Sequence, residues 1–294
     1  MASLKEIKNR IGSVRSTKKI TSAMKMIASS KLHKAQAAIN NFLPYQAKLD
    51  AILTNLLSSD TGYDSPFTQT REVKRVAIVA FASNSSLCGA YNANVIKEFN
   101  TTYSKYSALG RDNILIYPVG KKIADAVKKQ GLISQGDYRE MAEKPSYPLV
   151  QDLAKDLIKK YIDKEIDEVV LIYHHFISTG SQKLRNVLLL PFDLSHNQPD
   201  NSANNNTQTD YILEPSKEEI LESLIPTVLY SRLYAALLDA NASEHAARTV
   251  AMQIASDNAD ELVQDLIIQY NKSRQQAVTN QLLDIIGGAS ALQG

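Results

Sequence analysis

Along the first sixty positions, steps alternating between three and four residues pick out Leu4, Ile7, Ile11, Val14, Lys18, Thr21, Lys25, Ala28, Leu32, Ala35, Ile39, Phe42, Gln46, Leu49, Leu53 and Leu56. Twelve of these sixteen are apolar. A seam kept up over that many heptads predicts one helix over residues 3–57 and a partner helix along its whole length. Ser3 and Glu6 open it as a capping box, each side chain satisfying an orphan donor of the helix end. Such a helix runs roughly 80 Å at 1.5 Å per residue, longer than an ordinary domain is wide. It must protrude, be buried in another chain, or fold back into a bundle. Pro44 removes one hydrogen bond at a cost of about 3 kcal/mol, so it kinks the helix or breaks it at Leu43. Ser58 to Gly62, with Pro66 beyond, supplies the stop.

The middle of the chain changes period. Residues 75–82, 114–119, 168–177 and 184–192 are short apolar, β-branched runs that read as buried strands. Helical spacing separates them over residues 93–106, 121–129 and 149–162. Strands alternating with helices predict a mostly parallel sheet with helices on both faces, a Rossmann-like layout over residues 70–195. Residues 196–210 are Asn-rich and aperiodic and read as a polar surface loop.

A second long helix follows. Pro215 precedes the capping box of Ser216 and Glu219, and helical spacing continues to Ile286, where Gly287 and Gly288 are expected to stop it. Pro226 should bend its first turns. Ala251, Ala255, Ala259, Leu262, Leu266, Tyr270 and Ala277 form a narrow apolar stripe suited to close helix contact. The expected fold class is therefore α/β. A long antiparallel two-helix coiled coil is built from segments 1–60 and 211–294, with the Rossmann-like α/β domain of residues 70–195 between them.

Charge is uneven. Residues 5–34 carry Lys5, Lys8, Arg10, Arg15, Lys18, Lys19, Lys25, Lys31 and Lys34 against one acid, Glu6, while the 294-residue chain has a net charge of only +2. A helix basic all round at one end expects negative neighbours, and nucleic acid, anionic lipid or an acidic protein collar would each serve. The single cysteine, Cys88, rules out an internal disulfide and a cysteine metal cluster, and reads as a small packed residue in a reducing compartment. No run approaches the length of a membrane span, and the start is neither a signal peptide nor an Arg-rich transit peptide.

Candidate chemistry is sparse. The loop after the first strand, Ser83 to Asn92, holds one glycine, Gly89, so it is not a dinucleotide fingerprint, and no Walker-type loop occurs. His33, His174, His175, His196 and His245 make no metal motif, and His174 and His175 fall on opposite faces of a strand. Glu218 and Glu219 belong to a helix start, where the dipole favours them. Neither a cofactor nor a catalytic set is expected.

Three stretches resemble a known family. Ser16-Thr-Lys-Lys-Ile-Thr-Ser-Ala-Met-Lys-Met-Ile-Ala28, Ala242-Ser-Glu-His-Ala-Ala-Arg-Thr-Val-Ala-Met252 and Tyr270-Asn-Lys-Ser-Arg-Gln275 are similar to the gamma subunits of F-type ATP synthases. So are the closing Val278 to Ala289 and the Leu87-Cys-Gly-Ala-Tyr-Asn92 loop, and the likeness covers nearly the whole chain in order. The resemblance implies a non-catalytic central-stalk rotor. Its terminal helices would stand inside a ring of three alpha and three beta subunits, and its central domain would form a foot on the membrane proton ring beside an epsilon subunit. It implies no nucleic acid, membrane association through partners alone, and a peripheral place on the cytoplasmic face of a bacterial inner membrane. By motif match, Met24, Lys25, Arg248, Gln275 and Thr279 would face the acidic lever loops of the beta subunits, and Tyr211 and Glu214 would face the proton ring. Lys18, Thr21 and Lys25, polar where the seam is otherwise apolar, would suit a bearing surface turning against that collar. Gln281 stands where the family usually has an acid, and Asn84-Ser85-Ser86 replaces its Asp-Arg-Gly, which puts a polar role for that loop in doubt. A basic-helix nucleic-acid binder, with steeply salt-dependent affinity, and a Rossmann-like enzyme are the rival readings.

Overall fold

A computed structural model describes residues 3–58, 66–67, 71–192 and 213–293. Two compact units result, one made of Met1–Ala28 with Arg248–Gly294, the other of Ser29–Ala247. Helices α1 (Leu4–Ser58) and α6 (Lys217–Gln293) contribute to both.

The larger unit is organised by a four-stranded sheet. Its strands are β1 (Val76–Phe81), β2 (Ile114–Val119), β3 (Glu168–Ser178) and β4 (Ser181–Leu190), in the order β2-β1-β3-β4. β1 pairs in parallel with β2 and β3, and β4 returns antiparallel along β3. Every residue of β1 is buried, as expected of a central strand covered on both faces. The even residues Val76, Ile78 and Ala80, with Ile116 and Ile172, pack on Val95 and Phe99 of α2 (Tyr91–Lys105) and on Ile123 and Val127 of α3 (Lys121–Lys129). The odd residues Ala77, Val79 and Phe81 face Leu153 and Leu157 of α5 (Tyr147–Ile162), together with Leu53 of α1 and Leu229 and Leu233 of α6. Period two in the strand thus selects two different sets of helices.

The short helix α4 (Arg139–Glu143) had no periodic signature, being little more than one turn. Both Pro44 and Pro226 lie inside unbroken helices, so the break at Leu43 is excluded. Nor do Gly287 and Gly288 end α6, which continues to Gln293. Each glycine costs a helix about 1 kcal/mol relative to alanine, and Ala289 and Ala291 beyond them are strong helix formers. The Asn-rich segment 196–210 lies outside the described residues.

Within the larger unit, Leu32, Ala35 and Ile39 of α1 pack on Leu238, Ala242 and Ala246 of α6. The three alanines allow a close approach. In the smaller unit, Ile7 and Ile11 pack on Val263 and Leu266. Lys18 meets Asp260 and Thr21 meets Ser256 in the smaller unit, and Phe42 meets Tyr234 and Asp50 meets Arg232 in the larger, so in each the helices run antiparallel. No position of the α1 seam is exposed, its polar members included. The α6 face is turned by about one residue from the expected stripe: Val263 is 8% exposed, whereas Leu262 is 38% exposed.

Candidate functional site

In the smaller unit the seam changes chemistry halfway. Thr21 and Ser256 place their hydroxyl oxygens 2.7 Å apart, and Ser256 donates to the Met252 carbonyl at 2.9 Å. Ser22 lies 3.4 Å from the same Ser256 oxygen. One turn toward the start of α1, Lys18 forms an ion pair with Asp260. Lys18 and Thr21 therefore turn onto the partner helix, not outward as a bearing surface. The outward face carries Ile20, Met26 and Ile27, each at least 60% exposed. Ser256 and Asp260 were not singled out from sequence. A signal for Ser256 was available, because Met252, Ser256, Ala259, Val263, Leu266 and Tyr270 keep alternating steps of four and three.

Each motif-matched residue except two falls in this unit. Met24, Lys25 and Arg248 are half-buried; Gln275 and Thr279 are exposed and share a face of α6 at helical spacing, with the Thr279 hydroxyl donating to the Gln275 carbonyl at 3.0 Å. From Arg248 to Gln275 the helix rises about 40 Å, so these residues form two stations and not one cluster. Beyond the second station the end of α6 is apolar and uncovered, with Leu282, Leu283, Ile285 and Ile286 all exposed. Glu214 is exposed in the larger unit, and Tyr211 lies outside the described residues.

In an open α/β sheet a ligand enters at the carboxyl ends of the strands, where strand order reverses, here between β1 and β3. That crevice is filled by the chain itself. The Tyr91 ring stacks on His174 with centroids 4.5 Å apart, its hydroxyl donates to the Ala240 carbonyl at 2.9 Å, and Ser243 donates to the His174 carbonyl at 3.0 Å. A cavity of about 10 Å³ remains between Phe81, Tyr91, Leu237 and Ala240, room for about one water. Burial depresses the pKa of His174 to about 4, so its imidazole is neutral. His175 emerges on the opposite face, with Nδ1 2.7 Å from Asp239.

The loop after β1 is polar and closed. Ser83 donates its backbone N–H to Asn92 at 3.0 Å, and the Asn92 amide donates to Cys88 Sγ at 3.0 Å, Cys88 being buried. Asn84 has a definite polar role. Its side chain accepts from the Lys121 backbone N–H at 2.8 Å, capping α3, and donates to the Arg139 carbonyl at 2.9 Å. Among the described residues no group of three or more His, Cys, Asp or Glu could hold a metal ion, and no helix is long and apolar enough to cross a membrane.

A mixed domain with two long terminal helices paired antiparallel is the fold class of the solved structures this chain is similar to. These include the central stalk/c-ring of the Tetrahymena thermophila mitochondrial ATP synthase (TM-score 0.56, 23% identity, 81% of this chain and 99% of that one). Another is the rotor of the Euglena gracilis mitochondrial ATP synthase (TM-score 0.60, 18% identity, 94% and 98%). The family described as ATP synthase matches residues 3–292. The ATP synthase gamma chain of Bacteroides fragilis is 61% identical over 291 residues, covering 99% of this chain and all of that protein. That of Phocaeicola vulgatus is 55% identical over the same span, with equal coverage. The chain belongs to the ATP synthase gamma chain family.

Proposed function

We propose that this chain is the non-catalytic rotor of a proton-translocating ATP synthase. Its paired terminal helices turn inside a collar of three alpha and three beta subunits, and its Rossmann-like domain, residues 70–195, is driven by the membrane proton ring with an epsilon subunit beside it. Segments 1–60 and 211–294 supply the shaft. Torque, not bond chemistry, is what the chain contributes: turning an asymmetric shaft shifts each beta-subunit site through a succession of affinities, and the ATP chemistry stays in those subunits.

One observation carries this reading: helices from opposite ends of the chain pair antiparallel in a protein related over its full length to gamma chains. The basic residues of 5–34 suit acidic lever loops on the collar. Met24, Lys25 and Arg248 form one contact station, Gln275 and Thr279 the other, while Tyr211 and Glu214 meet the proton ring. Relatives of this chain over its full length are bacterial gamma chains, which suits the cytoplasmic face of a bacterial inner membrane, with attachment through partners.

The test is coexpression with the cognate alpha and beta subunits. The assembly should hydrolyse ATP several-fold faster with this chain than without it, and equal rates would refute the rotor reading.

A further inference from the structure

We infer that the two helices of the smaller unit are built to part at the layer of Lys18, Thr21, Ser256 and Asp260, admitting water there while the layers on either side stay closed.

The layers differ in what separation would expose. Toward the start of α1, Ile7 and Ile11 pack on Val263 and Leu266, each no more than 9% exposed. Parting the helices there would return four aliphatic side chains to water, against the full hydrophobic driving force. In the other direction Ala28 and Met252 are buried again.

The contact between these layers is polar, and its groups lose little when it opens. The Thr21 hydroxyl can exchange the Ser256 oxygen, 2.7 Å away, for the Lys18 carbonyl at 3.0 Å in its own helix. Ser256 keeps the Met252 carbonyl at 2.9 Å. The Lys18 and Asp260 side chains are 40% and 51% exposed, so both hydrate as they separate, and an ion pair that open to solvent holds weakly. A polar contact resists separation chiefly when it strands a buried donor or acceptor, and this one strands neither.

Two further features fall at the same place. A groove of about 630 Å³, bordered by Arg15, Lys18, Ser22, Asp260 and Gln264, runs beside the layer, so water already stands against it. The preceding turns of α1 are weak as a helix. Nothing packs within 4 Å of where a Cβ of Gly12 would stand, so no neighbour there requires the glycine, which lowers helix propensity. Ser16 and Thr17 turn their hydroxyls back onto the Gly12 and Ser13 carbonyls at 3.0 and 3.1 Å, a pattern that competes with the helix's own bonds and bends it. Met24 and Lys25 follow Thr21 by one turn, so opening gives the first contact station a freedom the second lacks; this last clause rests on the rotor reading.

Pulsed dipolar electron spin resonance on the full-length Cys88→Ser chain reads the opening. Nitroxides on Lys19→Cys with Asn258→Cys span the polar layer, and on Lys8→Cys with Gln269→Cys the apolar one, all four positions being exposed. The distance distribution across the polar layer should be at least about twofold broader than across the apolar layer. Thr21→Val with Ser256→Ala should narrow it, and adding Lys18→Leu with Asp260→Leu should bring it to the apolar width. The labels keep their positions, so such narrowing cannot come from their own motion. Should the fourfold variant aggregate, the double variant carries the comparison. Equal widths at the two layers in the parent overturn the proposal, and so does a polar-layer width that the substitutions leave unchanged. No readout involves rotation or ATP, so failure of the rotor reading would leave them as they are.

Discussion

The hydroxyl of Tyr91 reaches across from the start of α2 to the backbone carbonyl of Ala240 in α6, 2.9 Å away, while its ring lies against His174. One side chain thus closes the end of the parallel sheet and ties it to the C-terminal helix. Tyr91→Phe keeps the ring and removes the bond. We expect a loss of about 1 kcal/mol in urea unfolding, with the far-ultraviolet spectrum unchanged.

His174 makes stability depend on pH in a defined direction. Its folded pKa is lowered to about 4 by burial, whereas in the unfolded chain it titrates near the ordinary 6.5. Between those values the unfolded state holds the extra proton, so stability falls as pH drops from 6.5 toward 4 and is fully present above 6.5. The contribution is at most about 3 kcal/mol. His174→Phe should flatten the profile in that window relative to the parent, measured by urea unfolding at pH 7.5 and 4.5.

Asp167 organises the entry to the sheet. Its carboxylate takes both the Lys74 and Arg75 backbone N–H groups at 2.9 Å and pairs with Arg71 at 2.6 Å, while the Arg71 guanidinium lies 4.5 Å from the Tyr161 ring centre. Asp167→Ala strips the acceptor from two amides and leaves a half-buried cation without its counter-ion. A loss of about 3 kcal/mol or more is expected, visible as a lower denaturation midpoint.

Gly120 separates β2 from α3 at φ +104°, and a methyl group there would stand 2.1 Å from the Ala82 carbonyl oxygen. Backbone strain and the clash act together. Gly120→Ala should therefore cost roughly 3 kcal/mol or more, read as loss of soluble full-length protein.

Gln275 and Thr279 allow function to be separated from stability. Both are exposed, so replacing them with alanine should change stability by no more than about 0.5 kcal/mol. As they are contact residues proposed above, their replacement should nonetheless slow ATP hydrolysis by the reconstituted assembly. An unaltered rate would remove them from the contact set.

Much of this architecture could be read from the residues. The α1 seam was legible because its spacing recurs over many heptads, and every member proved buried or half-buried. The unbroken apolar, β-branched run of β1 identified a strand buried on both faces. The α6 stripe was harder, because alanines at 251, 255, 259 and 277 mark more than one face equally well; the exposed Leu262 displaced Val263 in the expectation. Lys18 and Thr21 were assigned outward because a polar residue in a seam looks like a defect until the opposite helix shows a matching one. The roles of Asn84 and Tyr91 depend on carbonyls far away in the chain, which no local pattern encodes.

The two faces of the sheet differ in when their covers are synthesised. Helices α2 and α3 emerge between or soon after the strands they shield, but Ala77, Val79 and Phe81 also need Leu229 and Leu233, made roughly 150 residues later. While the ribosome translates that interval, one side of a nearly finished sheet has α5 but not α6 as cover and stays open to unwanted partners. Truncation between residues 193 and 220 should therefore yield a nascent chain that binds chaperones or precipitates, even though every strand has already been made.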